Sequence, residues 1–237
     1  MSPRAPLLRR ADRPVTRDRL IEAAGAVFAE RGYRGATMRD IAERSGANLA
    51  AAHYHFGSKQ ELYREVVRAH FERLEQRFAE GGAIDATALA RLPREQLVGL
   101  LRARVRAMLE TFLDEGSVHA TLMQRELADP SETLPLIVRR WIDPLRRDLV
   151  QLLHRLAPKL PEDRLQLSAR SLMGQVIFYF THRPALLLMM RRRAYPPDFV
   201  DEISDHVVAF TLGGLDAVAH ASPRARVRKP GSQETKP

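Results

Sequence analysis

The sequence contains no cysteine, few aromatic residues and no apolar run long enough to cross a membrane. Its 237 residues include no Cys, and Phe, Trp and Tyr together make up 6%. The lack of Cys excludes disulfides, thiol catalysis and Cys-based zinc sites, and it is typical of a reducing compartment. The longest apolar run, residues 185–190, lies between arginines and is far shorter than a membrane span. We therefore expect a cytoplasmic protein that does not enter a membrane.

Sequence motifs of the common enzyme classes are also absent. The chain has no H-E-x-x-H zinc motif, no nucleophile elbow and no Walker phosphate loop. The closest pair of histidines, His53 and His55, would face different sides of a helix and would make a poor chelate. We therefore predict no catalytic residues, no metal and no cofactor, and we expect that the protein is not an enzyme.

The excess positive charge lies at the two ends of the chain. The formal net charge is +9, with +5 in residues 1–68, 0 in residues 69–219 and +4 in residues 220–237. A generally basic surface would spread this charge more evenly. A basic N-terminal segment beside a neutral remainder is typical of a nucleic-acid-binding domain joined to a body with another task.

Residues 13–68 have the pattern of several short helices packed together. Apolar residues at helical spacing across 20–28 predict a first helix that ends at Gly32. Thr37 and Asp40 have the spacing of a capping box, in which two side chains satisfy the free N–H groups at a helix start. A second helix therefore begins after Thr37.

A turn and two further helices follow. Gly46 supplies the flexible backbone that the turn requires, and a third helix covers about Asn48 to His55, with Leu49 and Ala52 expected to face inward. Residues 58–61 have the capping-box pattern of a fourth helix start. Two short helices around a glycine turn form the helix-turn-helix unit that places its second helix in a DNA major groove.

This stretch resembles the DNA-binding domain of the TetR family of bacterial transcription regulators, over about residues 13–65. The chain supplies the residues of the family pattern at Thr37, Ile41, Ala42, Gly46, Tyr54, Phe56, Lys59 and Leu62. It departs from the pattern at Ser45, Ala47 and His53, the last of which stands where the family often has an aromatic residue. A second stretch, residues 171–184, resembles the CecR-like subgroup of the same family.

The resemblance implies which residues contact DNA. Tyr54 and Lys59 match the family's phosphate contacts, Thr37 would offer its hydroxyl to a phosphate, and Arg39 would reach a phosphate or a groove edge. Asn48 would pair with adenine, and apolar side chains would touch thymine methyls. The remaining predicted contacts lie on the third helix, at Asn48, Leu49, Ala50, Ala51, His53 and His55. For His55, packing inside the domain is an equal alternative.

Residues 69–219 have the pattern of helices separated by Pro and Gly, so we predict an all-α fold. The predicted segments are 68–80, 94–114, 118–128, 134–156, 162–182, 184–193 and 198–219. The resemblance implies that this body binds a small ligand and dimerises through its last two long helices. Gly174, Gly213 and Gly214 lie within those helices, where either close helix packing across a symmetric interface or a kink would explain them.

The candidates for ligand contact are Met, aromatic and polar side chains within these apolar helices. They are Met108, Phe112, His119, Met123, Trp141, Gln175, Phe178, Tyr179 and His182. Gln175 and Tyr179 lie one turn apart and would present hydrogen-bonding groups together, either to a ligand or across a dimer. The alternative for every one of these residues is a place in an ordinary core.

The sequence therefore predicts a helix-turn-helix domain joined to a helical effector-binding and dimerisation domain. The expected divisions are a basic arm at 1–12, the DNA-binding domain at 13–68, the second domain at 69–219 and a basic tail at 220–237. We expect a ligand-responsive repressor that binds a pseudo-palindromic operator in double-stranded DNA as a homodimer. Two alternatives stay open: a DNA-binding protein gated by a partner protein or with an architectural role, and an α-helical enzyme.

Overall fold

The computed structural model describes residues 17–80, 86–114 and 116–220, and within these ranges all regular structure is helical. The α-helices are α1 (Arg17–Gly35), α2 (Met38–Ser45), α3 (Leu49–Phe56), α4 (Lys59–Glu80), α5 (Ala86–Arg91), α6 (Arg94–Leu113), α7 (Val118–Ala128), α8 (Leu134–Ile137), α9 (Asp143–Leu156), α10 (Glu162–Thr181), α11 (Arg183–Met189) and α12 (Phe199–His220). A π-helical turn, Val138–Ile142, joins α8 to α9. We call α1–α4 the head and α5–α12 the body.

The predicted all-α fold is confirmed, with differences in the limits of individual helices. The segment predicted at 68–80 is the C-terminal part of α4, so the expected domain boundary at residue 68 lies inside one continuous helix. Helix α5 was not predicted, and α3 begins and ends one residue later than expected. The predicted arm at 1–12 lies outside the described residues, as does the predicted tail beyond His220.

The long helix predicted at 134–156 is interrupted because of a proline. Pro144 has no backbone N–H and therefore cannot donate to the carbonyl of Arg140, four residues earlier. The helix turn is one residue longer at this point, because the Asp143 N–H donates to the carbonyl of Val138, five residues back, instead of four. Such π-helical turns are rare and often mark functional positions.

The head is built around α1, which packs against α2 and α4. Gly32 has a φ of 73°, a left-handed conformation that any side chain would strain, and it lets the backbone leave α1. Past this kink, the ring of Tyr33 packs 4.9 Å from the ring of Tyr63 on α4. Phe28 adds an edge-to-face contact with Tyr63 at 4.8 Å. These aromatic contacts hold the end of α1 on α4.

The apolar core of the head extends into the body. Besides residues of α1–α4, this buried cluster includes Leu122 and Met123 of α7 and Ile137 of α8. A second buried cluster joins α5, α6, α9, α10 and α12. Phe112 of α6 packs against both clusters. Any shift of α7 or α8 therefore disturbs the packing of the head directly.

Two polar contacts tie α7 to the head. The buried Tyr63 hydroxyl donates to Glu126 Oε1 at 2.7 Å, and Glu126 Oε2 accepts from the Ser131 N–H at 3.2 Å. Burial, reinforced by the Glu126 carboxylate, raises the pKa of the Tyr63 phenol, so the phenol keeps the proton that it donates. The neighbouring Arg125 guanidinium donates to the carbonyls of Ala29 and Glu30 of α1 at 2.8 Å each.

We expect Tyr63→Phe to lower the free energy of unfolding by about 1–3 kcal/mol, because the buried Glu126 carboxylate loses a donor. The measurement is urea denaturation followed by circular dichroism. The matched control is Tyr54→Phe, which removes an exposed hydroxyl and should leave stability unchanged. Equal stability of the two variants would contradict a structural role for the Tyr63–Glu126 hydrogen bond.

Candidate nucleic-acid interface and internal cavity

The start of α2 is fixed by a complete capping box. The Thr37 hydroxyl accepts from the Asp40 N–H at 3.2 Å, and Asp40 Oδ2 accepts from the Thr37 N–H at 3.0 Å. Hydrogen bonds from Thr37, together with an ion pair to Arg31 at 2.6 Å, lower the pKa of the Asp40 carboxyl. Thr37 itself is exposed, so it holds the helix start at the surface where a phosphate contact is predicted.

The turn between α2 and α3 depends on Gly46. This residue has a φ of 72° and a ψ of 21°, the left-handed conformation that ends many helices, and its N–H caps the last carbonyls of α2. Ser45, where the family usually has Ala, is buried and its hydroxyl donates to the Ala42 carbonyl at 2.9 Å. Arg19 of α1 donates to the Ser45 carbonyl at 3.1 Å. These contacts fix how α3 projects from the head.

Helix α3 buries one face and exposes the other. Ala52 and Phe56 are buried, whereas the side chains of most predicted DNA contacts lie on the solvent side. These exposed residues are Asn48, Leu49, Ala50, His53, Tyr54 and His55, with Ala51 half-buried. The expectation that Leu49 faces inward is wrong, since 38% of the residue is exposed. Spacings of three and seven residues put Leu49 on the same helix face as Ala52 and Phe56, but as the first residue of α3 it lies at the end of that face, where it is exposed.

Several predicted contact residues also have local partners. The Asn48 Oδ1 caps α3 by accepting from the Ala51 N–H at 2.7 Å, so a two-bond contact with adenine would have to share this oxygen with the cap. His53 Nδ1 lies 2.9 Å from the Gly57 carbonyl oxygen. By contrast, no hydrogen bond or ion pair within the described residues engages the exposed side chains of Arg39 and Tyr54. Their donors are therefore available to a phosphate.

Lys59 has a structural position that the sequence did not reveal. Its ammonium donates to the carbonyls of Tyr33 at 3.0 Å and Ala36 at 3.1 Å, and it lies 4.7 Å from the centre of the Tyr33 ring. The side chain therefore bridges the start of α4 to the segment after the Gly32 kink. Its predicted phosphate contact stays a prediction, and any substitution there also affects the packing of the head.

A cavity of about 300 Å³ lies where the two apolar clusters meet. Its wall is formed by Phe71, Arg104, Met108, Thr111, Phe112, His119, Met123, Leu127, Arg140, Trp141, Ile142, Pro144, Leu145, Asp148, Met173 and Ile177. These residues come from α4, α6, α7, the π-helical turn, α9 and α10. The cavity therefore touches α7, which carries the polar contacts to the head.

The structure brings five of the nine predicted ligand contacts together in this wall: Met108, Phe112, His119, Met123 and Trp141. It places Gln175, Phe178, Tyr179 and His182 outside the wall, although Gln175 lies between the lining residues Met173 and Ile177 in the sequence. The exposed Phe178 ring stacks on His182 with ring centres 4.7 Å apart, and the Tyr179 carbonyl accepts from the Tyr195 hydroxyl at 2.8 Å. These residues belong to the other face of α10 and its C-terminal end.

The sequence did not indicate the charged residues of the cavity. In the sequence, nothing distinguishes Arg104 and Arg140 from the other arginines. Only the tertiary packing places Arg104 of α6 and Arg140 of the π-helical turn in the wall of the same cavity. The proline at 144 is the available signal for the turn, but the helix predicted at 134–156 runs through it without a break. Among the described residues no helix is long and apolar enough to cross a membrane, and no cluster of His, Asp and Glu could hold a metal.

Lys59→Ala should lower the free energy of unfolding by about 1–3 kcal/mol, because the carbonyls of Tyr33 and Ala36 lose a charged donor. The exposed Lys159, in the loop after α9, offers a control of the same chemistry in Lys159→Ala. Both variants are compared with the unchanged protein by urea denaturation. A Lys59→Ala variant as stable as the unchanged protein would contradict a structural role for this lysine.

Comparison with known proteins finds two family models that match separate stretches of the chain. Residues 20–66 match the model of the bacterial regulatory proteins of the tetR family. Residues 97–215, about half of the chain, match the C-terminal domain of the HTH-type transcriptional dual regulator CecR. The first match covers the helix-turn-helix unit, and the second covers nearly all helices that line the cavity.

Individual relatives match at modest identity. The HTH-type transcriptional repressor KstR2 of Mycobacterium tuberculosis is 39% identical over 92 residues, which are 39% of this chain and 44% of that protein. The CecR of Shigella flexneri is 29% identical over 201 residues, covering 79% of this chain and 86% of that one. A crystal structure of a transcriptional regulator from Rhodococcus sp. Rha1 superposes with a TM-score of 0.60 at 25% identity, over 83% of this chain and 96% of that one. The chain belongs to the TetR family of DNA-binding transcriptional regulators and has a C-terminal domain of the CecR type.

Proposed function

We propose that this regulator binds a pseudo-palindromic operator as a homodimer and leaves it when a small ligand occupies the cavity. The observation that carries the proposal is the exposed face of α3, which the Thr37 and Asn48 caps and the Gly46 turn hold outward. A helix presented in this way fits a major groove. Two such helices, one from each protomer, would read half-sites about one helical turn apart.

The connection from cavity to head supports ligand control. His119 and Met123 of α7 line the cavity, while Arg125 and Glu126 of the same helix bind the head. A ligand that displaces α7 would therefore move α1 and α4, and with them α3. Such a ligand acts only through a difference in its affinity for the two arrangements of the head.

A homodimer is supported by the outer faces of α10 and α12. Leu167, Gly174 and Phe178 lie on one side of α10, and Phe210 and Gly214 lie on one side of α12, at helical spacing. A Cβ placed at either glycine would meet no atom within 4 Å in the described chain. Packing inside one protomer thus does not explain why these positions are glycine, whereas the close approach of a partner's helices would explain it.

DNA binding is tested by fluorescence anisotropy with a duplex from the region upstream of the protein's own gene, at two salt concentrations. We expect tighter binding than to a scrambled duplex. Arg39→Ala should weaken binding and reduce the slope of log affinity against log salt by about one, because one phosphate contact is lost. Arg139→Ala, in the exposed part of the π-helical turn, is the control and should change neither quantity.

Equal binding of both duplexes would instead favour the architectural alternative. Sequence-selective binding that no small molecule alters would favour gating by a partner protein. An unchanged salt slope in Arg39→Ala would remove this arginine from the DNA interface.

Phe210→Glu should convert the dimer to a monomer, because it places a charge on an apolar face that is 64% exposed in one protomer. The mass in solution is measured by size-exclusion chromatography with light scattering. Val138→Glu, an apolar-to-charged change at an exposed position in the π-helical turn, is the control and should stay dimeric. A dimeric Phe210→Glu variant would place the interface elsewhere.

A further inference from the structure

The cavity has a buried apolar floor and an exposed charged rim. Phe71, Met108 and Met123 of the floor are buried, whereas Arg140 and Asp148 of the rim are exposed. A molecule that fills this cavity must therefore have an apolar body and one polar end. A wholly polar ligand would leave the floor without partners, and a wholly apolar one would cover the charges of the rim.

The floor is rich in aromatic rings and thioethers. Phe71, Phe112, His119 and Trp141 contribute the rings, and Met108, Met123 and Met173 contribute the sulfur atoms. The His119 ring meets Phe71 edge-on at 4.3 Å, and Trp141 tilts against Phe71 at 4.6 Å. Rings prefer edge-on or offset contact with other rings, and methionine sulfur packs well against them. This wall favours a flat aromatic body over a flexible alkyl chain.

The charges of the wall favour an anionic end. Arg104 and Arg140 bring two guanidinium groups to the cavity, and Asp148 brings one carboxylate. Arginine presents several N–H donors in a plane, which suits the two oxygens of a carboxylate. Beside Arg140, the Trp141 indole N–H is buried and has no hydrogen-bond acceptor within the described residues. An oxygen of the ligand would supply this acceptor after a small movement of the π-helical turn.

The cavity also limits the size of the ligand. Its volume of about 300 Å³ is at the lower end of the range for small-molecule pockets. One or two rings with a carboxylate fit this space. A large headgroup would have to stay outside the rim.

We propose that the cavity binds a compact aromatic carboxylate, with its rings on the Phe71–Met108 floor and its carboxylate at Arg140. The inference rests on the proposed function only for the claim that the cavity is a regulatory site. The ligand touches the π-helical turn and α7 together. Because α7 and α8 both contribute side chains to the core of the head, a ligand in the cavity would change the packing of that core directly.

The test is titration calorimetry of the full chain, without DNA, using naphthoate as the probe. Naphthamide keeps the rings of naphthoate but lacks its negative charge, so it tests the need for the charge. Octanoate keeps the carboxylate but has an alkyl chain, so it tests the need for the rings. We expect naphthoate to bind at one site per chain and the other two compounds to bind about tenfold more weakly or not at all. Trp141 is the only tryptophan of the chain, so a change in its fluorescence reports binding at this wall.

Arg140→Gln should weaken naphthoate binding about tenfold, since it removes the charge but keeps a hydrogen-bonding side chain. Arg139→Gln is the matched control, because Arg139 is exposed on the same turn and does not line the cavity. An equal loss in both variants would mean general attraction to a basic surface and would overturn the assignment of Arg140.

The other results each decide one point. Octanoate binding as tight as naphthoate overturns the aromatic class, and equal binding of naphthamide overturns the anionic end. A protein that binds its operator but not naphthoate refutes this inference and leaves the proposed function standing. A protein that binds naphthoate but no DNA refutes the proposed function and leaves the ligand site standing.

Discussion

The contact between α7 and the end of α1 is the constraint on which the other parts of the structure depend. Arg125 holds two carbonyls of α1 just before the Gly32 kink, and Glu126 on the next position binds the buried Tyr63 of α4. One helix of the body thus fixes the two helices that support the DNA-facing unit. Because packed interfaces switch between discrete arrangements rather than deforming continuously, this junction favours discrete arrangements of the head.

The cavity lies beside this junction, so a ligand bound there would act on the head without a long path. Met123 both lines the cavity and belongs to the apolar cluster of the head. The π-helical turn brings Arg140 and Trp141 to the same wall, and α8 on its N-terminal side contributes Ile137 to the head cluster. Coupling between a ligand in the cavity and DNA at the head would therefore depend on packing that the two sites share.

The exposed surface of α2 and α3 was largely predictable because its signals are local. The Thr37–Asp40 capping box and the Gly46 turn each act over a few residues, and the structure has both where the sequence placed them. Lys59 shows the limit of that approach. Its position matched a phosphate contact, but its ammonium lies on carbonyls more than twenty residues earlier in the chain. Only the packing of α4 against α1 creates that site.

The sequence by itself determined the all-α class, the helix-turn-helix unit and the family, because helical periodicity and caps depend only on residues that are close together in the chain. Tertiary structure decided which side chains form the cavity. Met108 and Met123 could be named as candidates from the sequence, but Gln175 and Tyr179 looked equally suitable and lie elsewhere. The rim arginines had no distinguishing pattern at all. A cavity wall drawn from six elements depends on how those elements pack, and single-helix patterns carry no information about that packing.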